Sequence, residues 1–250
     1  MERQKIKLIK SLGDKKSRVE TKLFVIEGIK MLEDMLRSSF TISEIFYTEK
    51  LESDFTNHFS KIKSEKISIS DMDRITFLKS ATPVLALINM PTDNTPMLYN
   101  DRLSLALDCV QDPGNLGTII RICDWFGIKQ IYLSEDSADA YNPKVVQATM
   151  GAIARVKMIY CDLQKLLSKA KQETIPLYVT ALDGQNIYIA PLSSTGIIVM
   201  GNEGKGVSHT LQNMADAKLR IPSFPAKNEC ESLNVSVATA IVCSEFRRRC

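Results

Sequence analysis

Three stretches of the chain hold residue types that could do chemistry. The first is "DCVQDPGNLGTIIRICDWFG", residues 108–127. Asp112-Pro113-Gly114 turns the chain, and a helix follows on which Leu116, Ile119, Ile120, Cys123 and Phe126 form one apolar stripe. Arg121 points away from that stripe and is either an anion-binding group or ordinary solvated surface. Asn115 is a polar amide at the helix start or simply its N-cap. The second is "VMGNEGKGVS", residues 199–208, where Glu203 sits among Gly201, Gly204 and Gly206. Glycines let a ligand lie against bare backbone, although a tight turn also uses them. The third is "RIPSFPAKNECESLNVSVA", residues 220–238, which brings Ser232 and Asn234 to the start of an apolar helix. A helix start offers free N–H groups and a positive dipole end. Capping by Ser232 is the simpler account of those polar residues.

Two familiar nucleotide-binding readings fail on spacing. A strand, a glycine-bearing turn, a helix, a second strand and then Glu135 and Asp136 outline a dinucleotide unit, but the turn has only Gly114 and Gly117. The Gly-x-Gly that admits a pyrophosphate is missing. Lys205 follows a glycine, yet the Gly-x-x-x-x-Gly-Lys-Ser/Thr phosphate loop is absent.

The elements that must carry these loops are legible as alternation. In residues 1–90, "KLFVIEG", "ISEIFYT", "KISIS" and "PVLALIN" read as strands. Between them "GIKMLEDMLRSS", "DFTNHFSKIKS" and "DMDRITFLKS" read as helices, with Asp71 a candidate cap for the last. "NMPTDNTPMLYNDR" then reads as a linker, dividing a domain at 1–90 from one at 103–250 across residues 91–102. The second domain repeats the pattern with strands "LSLALDCV", "IKQIYLS", "RVKMIY", "PLYVTAL", "GIIVMG" and "AKLRIP". Helices are expected at 115–127, 143–151, 162–172, 207–214 and 232–248. Continuous apolar strands predict a parallel sheet covered on both faces, with the chemistry at its carboxyl ends.

Composition excludes several classes. No apolar run reaches the ~18 residues of a membrane span. The start "MERQKIKLIK" is charged rather than signal-like, so a cytoplasmic protein is expected. Six scattered cysteines show no C-x-x-C pair, and only His58 and His209 could join them, so no metal is expected. Net charge is only +3, but residues 1–22 hold eight Lys/Arg against three Asp/Glu, and Arg247, Arg248 and Arg249 lie near the end. Such termini are either solubility devices or footprints for a polyanion.

Together and in this order, the loops resemble the three motifs of the SpoU (TrmH-like) branch of the SPOUT RNA methyltransferases. The residues that carry this are "NLGTIIRICDWFG", "IIVMGNEGKGVS" and "LRIPSFPAKNECESLNVSVATAI", within residues 104–248. "NPKVVQATMGAIARV" is similar to the family's segment between the first two motifs. Through "RVETKLFVIEGIKMLEDML" and "SATPVLAL" the first domain resembles the RNA substrate-binding domain found ahead of such enzymes. The fold class implied is α/β. A C-terminal parallel-sheet domain with a deep trefoil knot would follow a small ribosomal-protein-like domain.

The resemblance implies methyl transfer from S-adenosylmethionine to a ribose 2′-hydroxyl of RNA, with ribosomal RNA as the target and transfer RNA as the alternative. It implies a homodimer whose active site borrows from both chains. It places the donor against backbone at Gly201, Ile221 and Leu233, and it makes Asn115, Arg121, Glu203, Ser232 and Asn234 the polar active-site positions. Lys15, Lys16 and Arg18 become candidate RNA contacts. The path "SFPAKNEC" is longer than the family's usual third motif and lacks its glycine.

A sulfonium methyl is already activated, so the protein's task is placement. A guanidinium with a pKa above ~12 is a poor base. Arg121 therefore reads as an anchor for the adjacent phosphate and a stabiliser of developing alkoxide. Glu203, Ser232 and Asn234 would orient it and the ribose. The rival readings are a non-catalytic RNA-binding or ribosome-assembly factor and a nucleotide-dependent oxidoreductase.

Overall fold

The computed structural model of the chain describes residues 1–51, 59–93, 95–224 and 232–249. Residues 54–58 of the expected helix "DFTNHFSKIKS" and residues 225–230 of "SFPAKNEC" lie outside them.

Two helices open the chain, α1 (Arg3–Ser11) and α2 (Lys15–Thr21). A reading based on charge alone passes over them. Ile6, Ile9 and Leu12 form a stripe at helical spacing beneath the lysines, and all three are buried. Then follow β1 (Leu23–Glu27), α3 (Ile29–Leu36), β2 (Ile42–Tyr47), β3 (Ser64–Lys66), α4 (Ile69–Ile75) and β4 (Val84–Asn89). The strands form one sheet in the order β1-β4-β2-β3, antiparallel except between β2 and β3. The expected strand "KISIS" is corrected: its strand ends at Lys66 and α4 begins at Ile69. Asp71 is not the cap of α4. Ser68 caps it, accepting from the Asp71 N–H at 3.1 Å, which is the Ser-x-x-acid spacing of a helix start.

Beyond the linker come β5 (Leu103–Leu107), α5 (Pro113–Trp125), β6 (Gln130–Leu133), α6 (Pro143–Ala148) and β7 (Lys157–Tyr160). They are followed by α7 (Leu163–Gln172), β8 (Leu177–Asn186), β9 (Gly196–Met200), α8 (His209–Gln212), β10 (Ala217–Arg220) and α9 (Val235–Arg248). Each expected strand and helix of this half is present. Six strands make a wholly parallel sheet in the order β10-β8-β9-β5-β6-β7. The linker is tied down, because the Met97 carbonyl accepts from Gln130 Nε2 at 2.7 Å and from Tyr132 Oη at 2.5 Å.

The chain folds as two units, residues 1–93 with 139–155 and residues 94–138 with 156–250. A segment expected in the second domain thus belongs to the first, and the chain passes between the units three times. Within the first unit α6 packs on β1, and the Tyr141 ring meets Phe24 with centroids 4.9 Å apart. Arg155 Nη1 donates to Asp34 Oδ1 at 2.7 Å. Gly151, at φ +94°, lies so close to Asp34 that a Cβ there would sit 1.9 Å from its Oδ2.

Arg18 corrects an expected RNA contact. Its side chain is 1% exposed. Nε and Nη2 donate to Asp139 Oδ2 at 3.1 and 2.5 Å, and Nη1 donates to the Leu12 carbonyl at 2.6 Å. Burial and these three bonds commit the guanidinium to the fold. Lys15 and Lys16 are exposed. The C-terminal arginines are likewise largely structural. Arg247 Nε donates to the Phe126 carbonyl at 2.7 Å, at the end of α5. Arg249 donates to the carbonyls of Ile187, Tyr188 and Ala190. Hydrogen bonds from Arg248 and then Arg249 hold the Glu245 carboxyl down at about 2. No helix among the described residues is long and apolar enough to cross a membrane.

Candidate active site

Strands β5 and β9 lie side by side, and their ladder runs one bond past β5, from Asp108 N–H to the Met200 carbonyl at 2.9 Å. From β5 the chain goes to neighbouring β6. From β9 it goes the other way, to β10 beyond β8. Two adjacent parallel strands whose connections diverge leave a crevice at their carboxyl ends, the usual ligand position in such sheets.

The loops at this crevice are built for contact. Asp112 caps α5 by accepting from the Asn115 N–H at 2.7 Å, with Pro113 in the first turn. Asn115 is therefore not the cap, and its amide is free to reach outward. Its Nδ2 donates to Glu203 Oε1 at 2.8 Å, and its Oδ1 accepts from Asn234 Nδ2 at 2.9 Å. Asn234 Oδ1 in turn accepts from Ser236 N–H at 3.0 Å, Ser236 Oγ at 2.6 Å and Val237 N–H at 3.3 Å. Asn234 thus caps α9 and also joins the network; Ser232 is not the cap. Ser232 is exposed just ahead of it.

Glu203 is held by a small turn. Asn202 and Gly206 exchange backbone hydrogen bonds at 3.1 and 2.9 Å. A Cβ at Gly201 would lie 2.2 Å from the Gly206 carbonyl carbon, so only glycine fits. Gly206 has φ +68°, where glycine is favoured. Ile221 directly follows β10, and Leu233, 47% exposed, directly precedes the α9 cap. Bare backbone at Gly201 admits close approach by a ligand, and Ile221 and Leu233 offer partly exposed apolar surface of the kind an adenine ring packs on. The donor set therefore fits an S-adenosylmethionine-type ligand.

Arg121 is not brought to this network. It is exposed, six residues and ~9 Å along α5 from Asn115. It makes no hydrogen bond or ion pair with another described residue. Its neighbour one turn on, Trp125, is 85% exposed. Asn202 shows in the sequence only as the Asn that opens a Gly-rich turn. Among the described residues no group of three or more His, Cys, Asp or Glu could hold a metal. Burial pushes the Cys243 thiol up to about 12 and the Cys161 thiol to about 11, which makes both poor nucleophiles.

The SpoU rRNA Methylase family model matches residues 102–244, and an MRM3-like substrate binding domain model matches residues 3–86. The chain belongs to the SpoU rRNA methylase family. Within it, the chain is 32% identical to the 23S rRNA (guanosine(2553)-2′-O)-methyltransferase RlmP of Bacillus subtilis, over 98% of this chain and 96% of that one. A solved structure of a TrmH-family protein from Porphyromonas gingivalis superposes with TM-score 0.90 at 36% identity, covering 100% of this chain and 99% of that one. An AdoMet-bound rRNA methyltransferase from Sinorhizobium meliloti gives TM-score 0.89 at 26% identity, covering 99% and 95%. The loops that carry Asn115, Glu203 and Asn234 lie within the matched residues 102–244.

Proposed function

We propose that this chain methylates the ribose 2′-hydroxyl of a guanosine in 23S rRNA, using S-adenosylmethionine. The observation that carries the reading is the Asn115–Glu203–Asn234 network at the divergence of β5 and β9. Full-length similarity to a 23S rRNA guanosine 2′-O-methyltransferase supports the choice of base and RNA.

S-adenosylmethionine supplies an electrophilic methyl group. Backbone at Gly201, Ile221 and Leu233 would hold it, and the chain's polar groups then align the acceptor. Glu203 gives Oε1 to Asn115, and among the described residues its Oε2 has no hydrogen-bond partner. Oε2 would accept from the ribose hydroxyl, aim its lone pairs and take its proton as the 2′-oxygen bonds to the methyl carbon and the donor's carbon–sulfur bond breaks to leave the thioether. Ser232 and Asn234 border the same ribose. Arg121 anchors the neighbouring phosphate and stabilises negative charge on the 2′-oxygen.

Arg121 reaches that position from a second copy of the chain. Its separation from Asn115 supports this, and both α5 and α9 leave a large apolar side chain exposed, Trp125 and Val237. We read the last elements as the family's trefoil knot. Its support is the β10 register, which jumps along β8 from Val179 to Gln185, with Leu219 backbone so close to Gly184 that a Cβ added there would lie 2.7 Å from it. The first unit is read as a ribosomal-protein-like RNA-binding domain in which exposed Lys15 and Lys16 contact phosphate.

The test is tritiated methyl transfer to 23S rRNA followed by mapping of alkali-resistant linkages. One protected guanosine is expected. Transfer to transfer RNA alone would replace the target, and transfer to a base nitrogen would overturn the reading.

A further inference from the structure

We propose that Asn202 is a positioning residue for the methyl transfer, locking the two catalytic loops into one unit before RNA arrives. The inference rests on the functional reading above.

Asn202 uses its whole side chain. Oδ1 accepts from the N–H groups of Gly204 and Lys205 at 2.9 and 3.1 Å, which shapes the turn that carries Glu203. Nδ2 donates across to the Cys109 carbonyl at 2.9 Å. One end therefore builds the β9 turn, and the other grips the β5 loop.

Cys109 is an unusual residue to grip. It has φ +58°, a left-handed conformation that side chains other than glycine seldom adopt. Such backbone persists only where its surroundings over-determine it. Here they do: the Cys109 N–H donates to Ser134 Oγ at 2.8 Å, and its carbonyl takes Asn202. Cys109 begins the bend that ends in the Asp112 cap and sets Asn115 at the head of α5.

The loops are joined by Asn202 to Cys109, by Glu203 to Asn115 and, at the far end of the turn, by the Ser208 N–H to Asp108 Oδ2 at 2.8 Å. The Ser208–Asp108 and Asp108–Met200 bonds hold the bases of the two loops, which leaves the tip carrying Glu203 to turn about its one bond to Asn115. A second bond from the adjacent residue removes that freedom and fixes where Glu203 Oε2 points. Preorganisation of this kind acts on the rate of a placement-limited reaction rather than on donor affinity.

Asn202→Asp isolates the effect. It keeps the oxygen that accepts from Gly204 and Lys205 but replaces the donor facing Cys109 with an acceptor. Asn202→Ala removes both. Single-turnover methylation is measured with donor and 23S rRNA saturating, beside donor binding by calorimetry and a melt. For Asn202→Asp the rate should fall about 10²-fold, as for an ångström-scale misplacement, with donor affinity and melting little changed. The Asn202→Asp/Asn115→Ala double variant should be no slower than Asn115→Ala. Wild-type rate in Asn202→Asp would overturn the proposal. Early melting with loss of donor binding would overturn it too, by making Asn202 a structural residue. An inactive wild type would instead count against the functional reading.

Discussion

Arg18 and Asp139 stand 121 positions apart in sequence and form an ion pair at 2.5 Å in which the guanidinium is buried and the carboxylate largely so. The pair fastens the start of residues 139–155 to α2, inside the first unit. Removing one partner of a buried pair leaves the other charge uncompensated, at a cost of about 3–5 kcal/mol. Arg18→Ala should lower the melting temperature by many degrees. A variant that melts like wild type would show that solvent reaches Asp139 freely.

The same relationship predicts the fate of a truncated chain. Residues 101–250 alone would strip 139–155 of β1 and of Arg18, the surfaces on which it packs. The fragment should lose cooperative melting, and its donor binding should weaken with it. Wild-type thermal stability of the fragment would contradict this.

Arg121→Ala should cut turnover by roughly 10²–10³ while donor affinity holds, the signature of a group acting in the transition state. Stability should move by less than ~0.5 kcal/mol, because the side chain is exposed and unpaired among the described residues. Mixing inactive Arg121→Ala with inactive Glu203→Gln should restore activity, since a mixed dimer would hold one site with both groups intact. No recovery on mixing would place Arg121 and Glu203 in a site of one chain.

Asn234→Ala should be a double lesion. Losing the α9 cap costs about 0.5–2 kcal/mol, and losing the bond to Asn115 should lower turnover as well. Asn234→Ser keeps capping ability without reaching Asn115, so it should recover stability more than rate. Equal recovery of both, read by melting and single-turnover kinetics, would mean that the bond to Asn115 has no catalytic weight.

The basic start offers a further test. Lys7, Lys15 and Lys16 are exposed, whereas Arg18 is not. Reversing the three lysines to Glu should weaken RNA binding and flatten its salt dependence by ~0.7 for each phosphate no longer neutralised. Arg18 is kept out of that variant because its loss would destabilise the unit. Unchanged slopes would make the lysines a solvated face.

Much of the second unit was legible in the sequence. Its strands are continuous apolar runs, and its three loops keep their residues within a few positions of each other, so local pattern suffices. The carriers of long-range contact were not legible. Nothing near Arg18 announces Asp139, and nothing in "FRRRC" says that Arg247 closes α5 or that Arg249 serves carbonyls near residue 188. Charge alone suggests surface there, because periodicity does not reveal a distant partner. At "KISIS" the alternation of apolar residues suggests a strand, but the Ser68–Asp71 capping pair starts a helix there instead.

Alignment of a ribose 2′-hydroxyl of 23S rRNA by the Asn115–Glu203–Asn234 network is tested most directly by one measurement. It is tritium transfer from labelled S-adenosylmethionine to 23S rRNA by wild type and by Glu203→Gln, with the product mapped by resistance to alkali. Wild type should label a single guanosine ribose. Glu203→Gln should bind donor equally and label that position at least about a hundredfold more slowly, the size expected when a transition-state interaction is removed. Equal labelling by the two proteins, or label on a base rather than a ribose, would contradict the account.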